Sequence, residues 1–292
     1  MSTHPELRNS LLSNLASAGA WTPKESTDLG VLFRSLLNWA QTSGLAAIEA
    51  EVCRTFGDFL GRRTVEFGCG QGKMSMLMAA RGAVPTLVDY NLPVLRAADR
   101  LWRAVGLRPS MVVADVLRTP LRAGTAFDIA MSFGTAEHFL GEERLAFVRA
   151  HVDMVRPGGL IFLSVPNRWA LCYRLAHGLQ RRMGRWPNEL PEVPFTRREL
   201  HRLAETAGAS TLRICCGDTV AADFAYHIVD NVRAALYRLF RRRPAQEQNL
   251  LREWLPHHWS AVLSTMRKCR TSTLLDECFA YPLLLIARRP RS

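Results

Sequence analysis

The chain has 292 residues, 48% of them hydrophobic and 22% charged, which fits a globular protein of one large domain with insertions. No run reaches the roughly 18 apolar residues of a membrane span, since the longest, Tyr281 to Ala287, is strand-sized. The formal charge of +12 admits an anionic partner, but lysine stands only at 24, 73 and 268. That arginine skew is the mark of a GC-rich genome, so much of the excess reads as a solvated basic surface.

Residues 1–60 read as a helical cap segment. Leu29, Leu32, Phe33, Leu36, Leu37 and Ala40 recur at helical spacing, as one buried face does, with Asp28 as their cap. The start shows no basic stretch followed by an apolar core, so no signal peptide is expected.

From residue 61 to 218 short apolar runs alternate with helices. Thr64–Phe67 is a strand, Met74–Arg81 a helix, and Thr86–Val88 a second strand that closes on Asp89. Leu92–Val105 is a helix, Met111–Ala114 a third strand closing on Asp115, and Phe127–Phe133 a fourth. Glu142–Val155 is a helix that Arg156-Pro157-Gly158-Gly159 turns into a fifth strand, Leu160–Val165. This alternation predicts right-handed crossovers and a doubly wound, mostly parallel α/β sheet.

Residues 167–196 break the rhythm as an arginine-rich helical insertion. Thr196 and Glu199 make a capping-box pattern for the helix Thr196–Ala207. Leu212–Cys216 is a sixth strand, and 219–273 a second helical insertion. In the closing segment 274–292, Phe279–Ala287 is a last strand that completes the core sheet.

Both insertions contain amphipathic helices. Over Arg168–Arg185, Trp169, Cys172, Tyr173, Ala176, Leu179 and Met183 share one face, with Arg174, His177, Arg181 and Arg185 opposite. Phe224, Ile228, Val232, Leu236 and Leu239 make a similar face, flanked by Arg233, Arg238 and Arg241–Arg243. These helices suit a cap with its charges in water, a lid on an apolar acceptor with an anionic part, or a basic surface for peripheral membrane contact.

The densest signal is TVEFGCGQGKMSM, Thr64 to Met76, with glycines at 68, 70 and 72. A phosphate-cradling GxxxxGK[ST] loop is excluded, because no glycine stands five before Gly72 and Ser75 does not follow Lys73 directly. The dinucleotide pattern GxGxxG fails as well, because position 73 is lysine, which sets a nicotinamide oxidoreductase aside.

An acid two residues before alternating glycines, E-F-G-C-G-Q-G, resembles the first motif of class I S-adenosylmethionine-dependent methyltransferases. TLVDYN, VVADV, FDIAMSFGTAEHF, RPGGLIFLSVPN and FTRRELHRLAETAGA resemble that family's later segments, in order, over roughly residues 62–216. The resemblance is to the small-molecule, type 11/12-like branch. It implies a seven-stranded Rossmann-like methyltransferase sheet with helical cap insertions, and S-adenosylmethionine as cofactor, with S-adenosylhomocysteine as product.

It also implies a site. Glu66 faces the cofactor's amino group, and Gly68, Cys69, Gly70 and Gly72 lie along its methionine part. Its carboxylate suits the N-terminus of the following helix. Asp89 takes the ribose hydroxyls and Asp115 the adenine amine, with Tyr90 and Val116 flanking the ring and Phe133 completing the set. Each acid also has a plain alternative as a helix cap. His138 is the candidate base, in the loop facing the donor methyl. Glu137 is an alternative that binds a cationic acceptor.

The seven cysteines are scattered without a CxxC pair, as reduced thiols of a cytoplasmic protein are. Cys215, Cys216, His257, His258, Cys269 and Cys278 lack zinc-ligand spacing, so no metal is expected. The acceptor reads as small or lipid-like and partly apolar. RNA is the runner-up, disfavoured because SFGTAEHF lacks the aromatic [DNS]PP[YFW] motif of nucleobase amine methyltransferases. A cofactor-binding regulator without turnover is the non-enzyme alternative.

Overall fold

The computed structural model describes residues 42–121, 127–182, 192–224 and 273–291, together with Leu36, Trp39, Ala40 and Ile228. Its strands are β1 (Arg63–Phe67), β2 (Val84–Asp89), β3 (Ser110–Val113), β4 (Phe127–Phe133), β5 (Val155–Val165), β6 (Ser210–Cys216) and β7 (Leu283–Arg288). Helices are α1 (Ser43–Phe56), α2 (Lys73–Ala79), α3 (Leu92–Ala104), α4 (Gly141–Met154), α5 (Leu171–Arg182), α6 (Arg197–Thr206), α7 (Val220–Phe224) and α8 (Leu274–Phe279). Two 3₁₀ turns lie at Val116–Arg118 and Ala136–His138.

The strands form one sheet in the order β3-β2-β1-β4-β5-β7-β6. The first five are parallel, and β7 runs antiparallel to both β5 and β6. This is the doubly wound, mostly parallel sheet that the alternation predicts. The order reverses at β1, so the loops after β1 and β4 open side by side, where a sheet of this kind leaves a crevice for a ligand.

Strand periodicity divides the core into two layers. Val65, Phe67, Val88, Ala130, Ile161, Leu163 and Leu285 pack with Phe147 and Val148 of α4 and Leu200 and Ala204 of α6. The intervening Leu87, Ile129, Met131, Leu160, Phe162, Leu284 and Ile286 pack with α1 through Leu45, Ile48 and Val52, with α2 through Met74 to Met78, and with α3 through Leu101 and Trp102. Each such aliphatic side chain taken fully from water contributes about 1.5–3 kcal/mol.

Several expectations are corrected. Arg156–Gly159 is not a turn outside the strand but an irregularity within β5, because the register runs from Phe127↔Val155 directly to Ile129↔Leu160. Phe279 closes α8 rather than opening the last strand, since Thr273 and Asp276 form a reciprocal capping box that starts a helix there. At α6, Thr196 does accept the Glu199 N–H at 3.1 Å, but the Glu199 carboxylate turns to Arg144.

The expected buried face of α5 is also narrower than drawn. Tyr173 and Ala176 are buried, whereas Trp169 and Leu179 are about three-fifths exposed, because the helix meets the body only along a thin stripe. His177, assigned to the solvent side, is instead nearly covered beside Glu192. In the second insertion Phe224 is exposed and Ile228 half-buried.

Other expectations for that insertion, with Val232, Leu236, Leu239, Arg233, Arg238 and Arg241–Arg243, lie outside the described residues, as do Met183 and Arg185. So do Asp28, Leu29, Leu32, Phe33 and Leu37, although Leu36 and Ala40 are buried. Among the described residues no helix is long and apolar enough to cross a membrane.

His151 of α4 is fully buried, with Nδ1 donating to the Phe147 carbonyl at 2.8 Å and the ring edge-on to Phe67 at 4.9 Å. Burial pushes its pKa down to about 4. An unfolded histidine titrates near 6.5, so the unfolded chain takes the proton first, and stability falls as pH drops from about 6.5 towards 4. Chemical denaturation at pH 7 and pH 4.5 should show the protein losing about 2 kcal/mol more than a His151→Phe variant loses over the same interval. Equal losses would contradict this.

Candidate active site

Gly68, Gly70 and Gly72 all have positive φ, at 62°, 54° and 66°, but each for its own reason. A Cβ on Gly68 would lie 2.4 Å from Thr135 Cγ2, so this glycine lets the loop after β4 close onto the loop after β1. Thr135 Oγ1 fastens the contact by donating to Gly68 O at 3.3 Å. A Cβ on Gly72 would meet Leu87 Cδ1 at 2.9 Å and Trp102 Nε1 at 3.2 Å. The same Trp102 nitrogen donates to Gln71 O at 3.1 Å, tying the loop to the core. A Cβ on Gly70 would meet nothing within 4 Å. Of the three, Gly70 is the one that opens on space.

The acids crowd around this opening. Asp89, 8% exposed, accepts Gly70 N–H through Oδ2 at 3.0 Å and Asn91 N–H through Oδ1 at 2.9 Å. Burial raises its pKa, and these N–H groups oppose the rise. Glu66 is buried and accepts both the N–H and the hydroxyl of Ser75. Desolvation pushes its pKa up to about 7, against the Ser75 bonds and with a smaller push from Asp89. Ser75 lies in the first turn of α2, so that helix start turns one N–H inward to Glu66 and away from any ligand.

Cys69 is buried, and desolvation holds its thiol well above the ordinary range, so it serves as packing rather than as a nucleophile. Lys73 opens α2. Tyr90 is half-buried beside Asp89, its hydroxyl pushed up to about 12 by burial and then by that charge. At the end of β3, Asp115 accepts Leu117 N–H at 3.0 Å, a cap for the 3₁₀ turn, and Val116 is buried next to it. Phe133 closes β4 half-buried, with Trp39 edge-on at 6.2 Å.

Beyond β4 lies a second group of acids. Glu137 is 3% exposed, its Oε1 is 3.5 Å from where a Gly134 Cβ would stand, and its Oε2 has no hydrogen-bond partner among the described residues. Desolvation pushes it up to about 8, with Glu192 adding to the rise and Arg144 opposing it. His138 is only half-buried, its N–H donating to Thr135 O at 3.2 Å.

Glu192 escaped the sequence reading, since the stretch around it has no periodicity. Its carboxylate accepts the Tyr173 hydroxyl and lies 3.4 Å from His177 Nε2. His177 stacks on Tyr173 at 5.3 Å and Tyr173 on Tyr281 at 4.8 Å. The spacing of Tyr173 and His177, one helical turn apart, was the available signal. Arg144, also unforeseen, is 5% exposed, bonds Glu199, the Phe139 carbonyl and the Val193 carbonyl, and lies 3.9 Å over the Phe195 ring.

Residues 65–163 match a family model described as a methyltransferase domain. The ubiquinone biosynthesis O-methyltransferase of Ralstonia nicotianae is 34% identical over 118 residues, covering 40% of this chain and 48% of the relative. That of a Methylobacterium species is 32% identical over 178 residues, covering 56% of this chain and 69% of the relative. The chain spans about half the length of the first curated relatives it matches.

Among solved structures, the magnesium protoporphyrin IX methyltransferase of Synechocystis PCC 6803 with bound SAH is similar at TM-score 0.55 and 13% identity, covering 97% of this chain and 99% of that one. The Burkholderia thailandensis 1,6-didemethyltoxoflavin-N1-methyltransferase is similar at TM-score 0.52 and 14% identity, covering 99% and 92%. At these identities the likeness is one of fold.

The three glycines should separate experimentally. Gly68→Ala and Gly72→Ala should each lower the melting temperature by about 4 °C or more beyond Gly70→Ala, because only they drive a Cβ into packed atoms. Thermal unfolding followed by circular dichroism measures this, and three equal shifts would contradict it.

Proposed function

We infer methyl transfer as the activity: the chain belongs to the class I S-adenosylmethionine-dependent methyltransferase family, and its sheet edge carries a cradle suited to that cofactor. One observation carries the reading. Gly70 opens on space directly beside the buried Asp89 carboxylate, a negative group that accepts hydroxyl and amino protons and repels a phosphate. A cofactor that is a zwitterion without phosphate fits such a place.

Asp89 would hold the ribose hydroxyls with lone pairs beyond those used by Gly70 and Asn91. Glu66 would face the amino group, while Gly68, Cys69, Gly70 and Gly72 would line the methionine part. Tyr90, Asp115, Val116 and Phe133 would surround the adenosine. Bound there, the cofactor supplies an electrophilic methyl on a sulfonium. The protein's own work is alignment and exclusion of water.

For the acceptor we propose a hydroxyl of a small, partly apolar or lipid-like molecule. The O-methyltransferase names of the sequence relatives support this. So does Glu137, a buried carboxyl beside Gly134 that can take the proton a hydroxyl must lose. His138, less buried, is the second candidate base. The leucines of α5 at 171, 175 and 179, each about three-fifths exposed, suit peripheral contact with a membrane that holds such an acceptor. The thiols of Cys53 and Cys278 suit a cytoplasmic setting.

Incubation with methyl-labelled cofactor and cell extract, separated into lipid, small-molecule, RNA and protein pools, tests the reading. Label should enter the lipid or small-molecule pool. Label confined to RNA or protein would overturn the acceptor class, and cofactor binding without label in any pool would favour a regulator. With the acceptor in hand, Glu137→Gln should lower kcat/KM about 100-fold and His138→Gln less than about threefold. Glu137 acts as a base only when deprotonated, so the rate should rise with pH through about 8.

A further inference from the structure

Two carboxyls removed from water lie beyond the end of β4. Glu137 is 3% exposed and Glu192 has a side chain 7% exposed, and Glu137 lies in the field of Glu192. They are joined through the backbone, where Val193 N–H donates to Glu137 O at 3.0 Å.

The pair is continuous with the cofactor cradle. Thr135 packs on Gly68, Gly134 follows it, and Glu137 Oε1 lies against Gly134. Proteins do not ordinarily bury two acids together unless a partner satisfies them. Arg144, whose charge reaches Glu137, already bonds Glu199 and two carbonyls. Glu192 is held by Tyr173 and His177. Glu137 Oε2 has no partner among the described residues.

We propose that Glu137 and Glu192, the latter fixed by Tyr173 and His177, form the polar end of the acceptor site, built for an uncharged hydroxyl and against a carboxylate. This rests on the methyl-transfer reading and sharpens it, replacing the acceptor with an anionic part that the arginine-rich helices suggest. A hydroxyl both gives and takes a hydrogen bond. Glu137, pushed up to about 8 by burial, keeps a proton it can donate at neutral pH, and carboxyl oxygens accept, so the two side chains together can give one bond and take another. A carboxylate only accepts, and would bring a further negative charge beside Glu192, where like charges in a desolvated site repel strongly. The stacked rings of His177, Tyr173 and Tyr281 brace the wall that keeps Glu192 in place.

The test is calorimetric binding of 4-pentylphenol and 4-pentylbenzoate, which share a tail and differ at the head, to the full chain saturated with S-adenosylhomocysteine. The phenol should bind about tenfold more tightly than the benzoate, and Glu192→Gln should cut that lead to about threefold or less by removing the repulsion. Tyr173→Phe keeps the ring stack but deletes the hydroxyl that fixes Glu192, so the carboxylate can swing away from the site, the lead should fall as well, and the variant serves if Glu192→Gln does not fold. Equal binding, tighter benzoate, binding of neither probe, or a lead unchanged in both folded variants would overturn the proposal. Failure of S-adenosylhomocysteine itself to bind would overturn the methyl-transfer reading instead, so the two failures are distinct.

Discussion

The hydrogen bond from the Gly70 N–H to the Asp89 carboxylate, 3.0 Å long, joins the loop after β1 to the end of β2, and the site is arranged around it. Cys69 N–H reinforces the link by donating to Val88 O at 3.1 Å. Trp102 draws the loop from below through Gln71, and Thr135 closes on it from the neighbouring strand end. Such convergence needs the strand order β2-β1-β4, which sets these three loops next to one another. It also needs residues without a Cβ at 68 and 72, where a methyl would collide with Thr135 or Leu87. What remains open is the space in front of Gly70.

The electrostatics follow from that closure. Glu66, Asp89 and Glu137 are all withdrawn from water, and desolvation raises each. For Glu66 the folded value of about 7 exceeds that of an unfolded glutamate, so its contribution to stability is present at low pH and is lost as pH rises towards 7. A protein that bears such a cost at neutral pH holds carboxyls ready for a cationic or hydrogen-bonding ligand. On the proposed reading, the amino group and ribose of the cofactor would answer Glu66 and Asp89, and an acceptor hydroxyl would answer Glu137.

Much of the fold was legible because it rests on local rules. The alternation of apolar residues gave β1, β2 and β4 within a residue or two, and the glycines with Asp89 marked the crevice. What escaped depends on partners distant in sequence. Glu192 finds Tyr173 and His177 only because the chain returns along the end of β5, where Phe195 N–H bonds Pro166 O at 2.9 Å. His177 was placed in water by helical periodicity, yet stacking on Tyr173 draws it inward. Asp115 shows the opposite limit, since its cap to Leu117 is the local role that sequence reasoning held beside the functional one.

The most direct test of the central claim is calorimetric titration of S-adenosylmethionine into the protein and into Asp89→Asn at pH 7, in two buffers of different ionisation enthalpy. The cradle predicts one-to-one binding to the parent chain with proton release, as the bound amino group lowers the Glu66 pKa. It predicts affinity at least about tenfold weaker in Asp89→Asn, because the amide has one acceptor oxygen in place of two. Binding that Asp89→Asn leaves unchanged, or no binding to the parent chain, would contradict it.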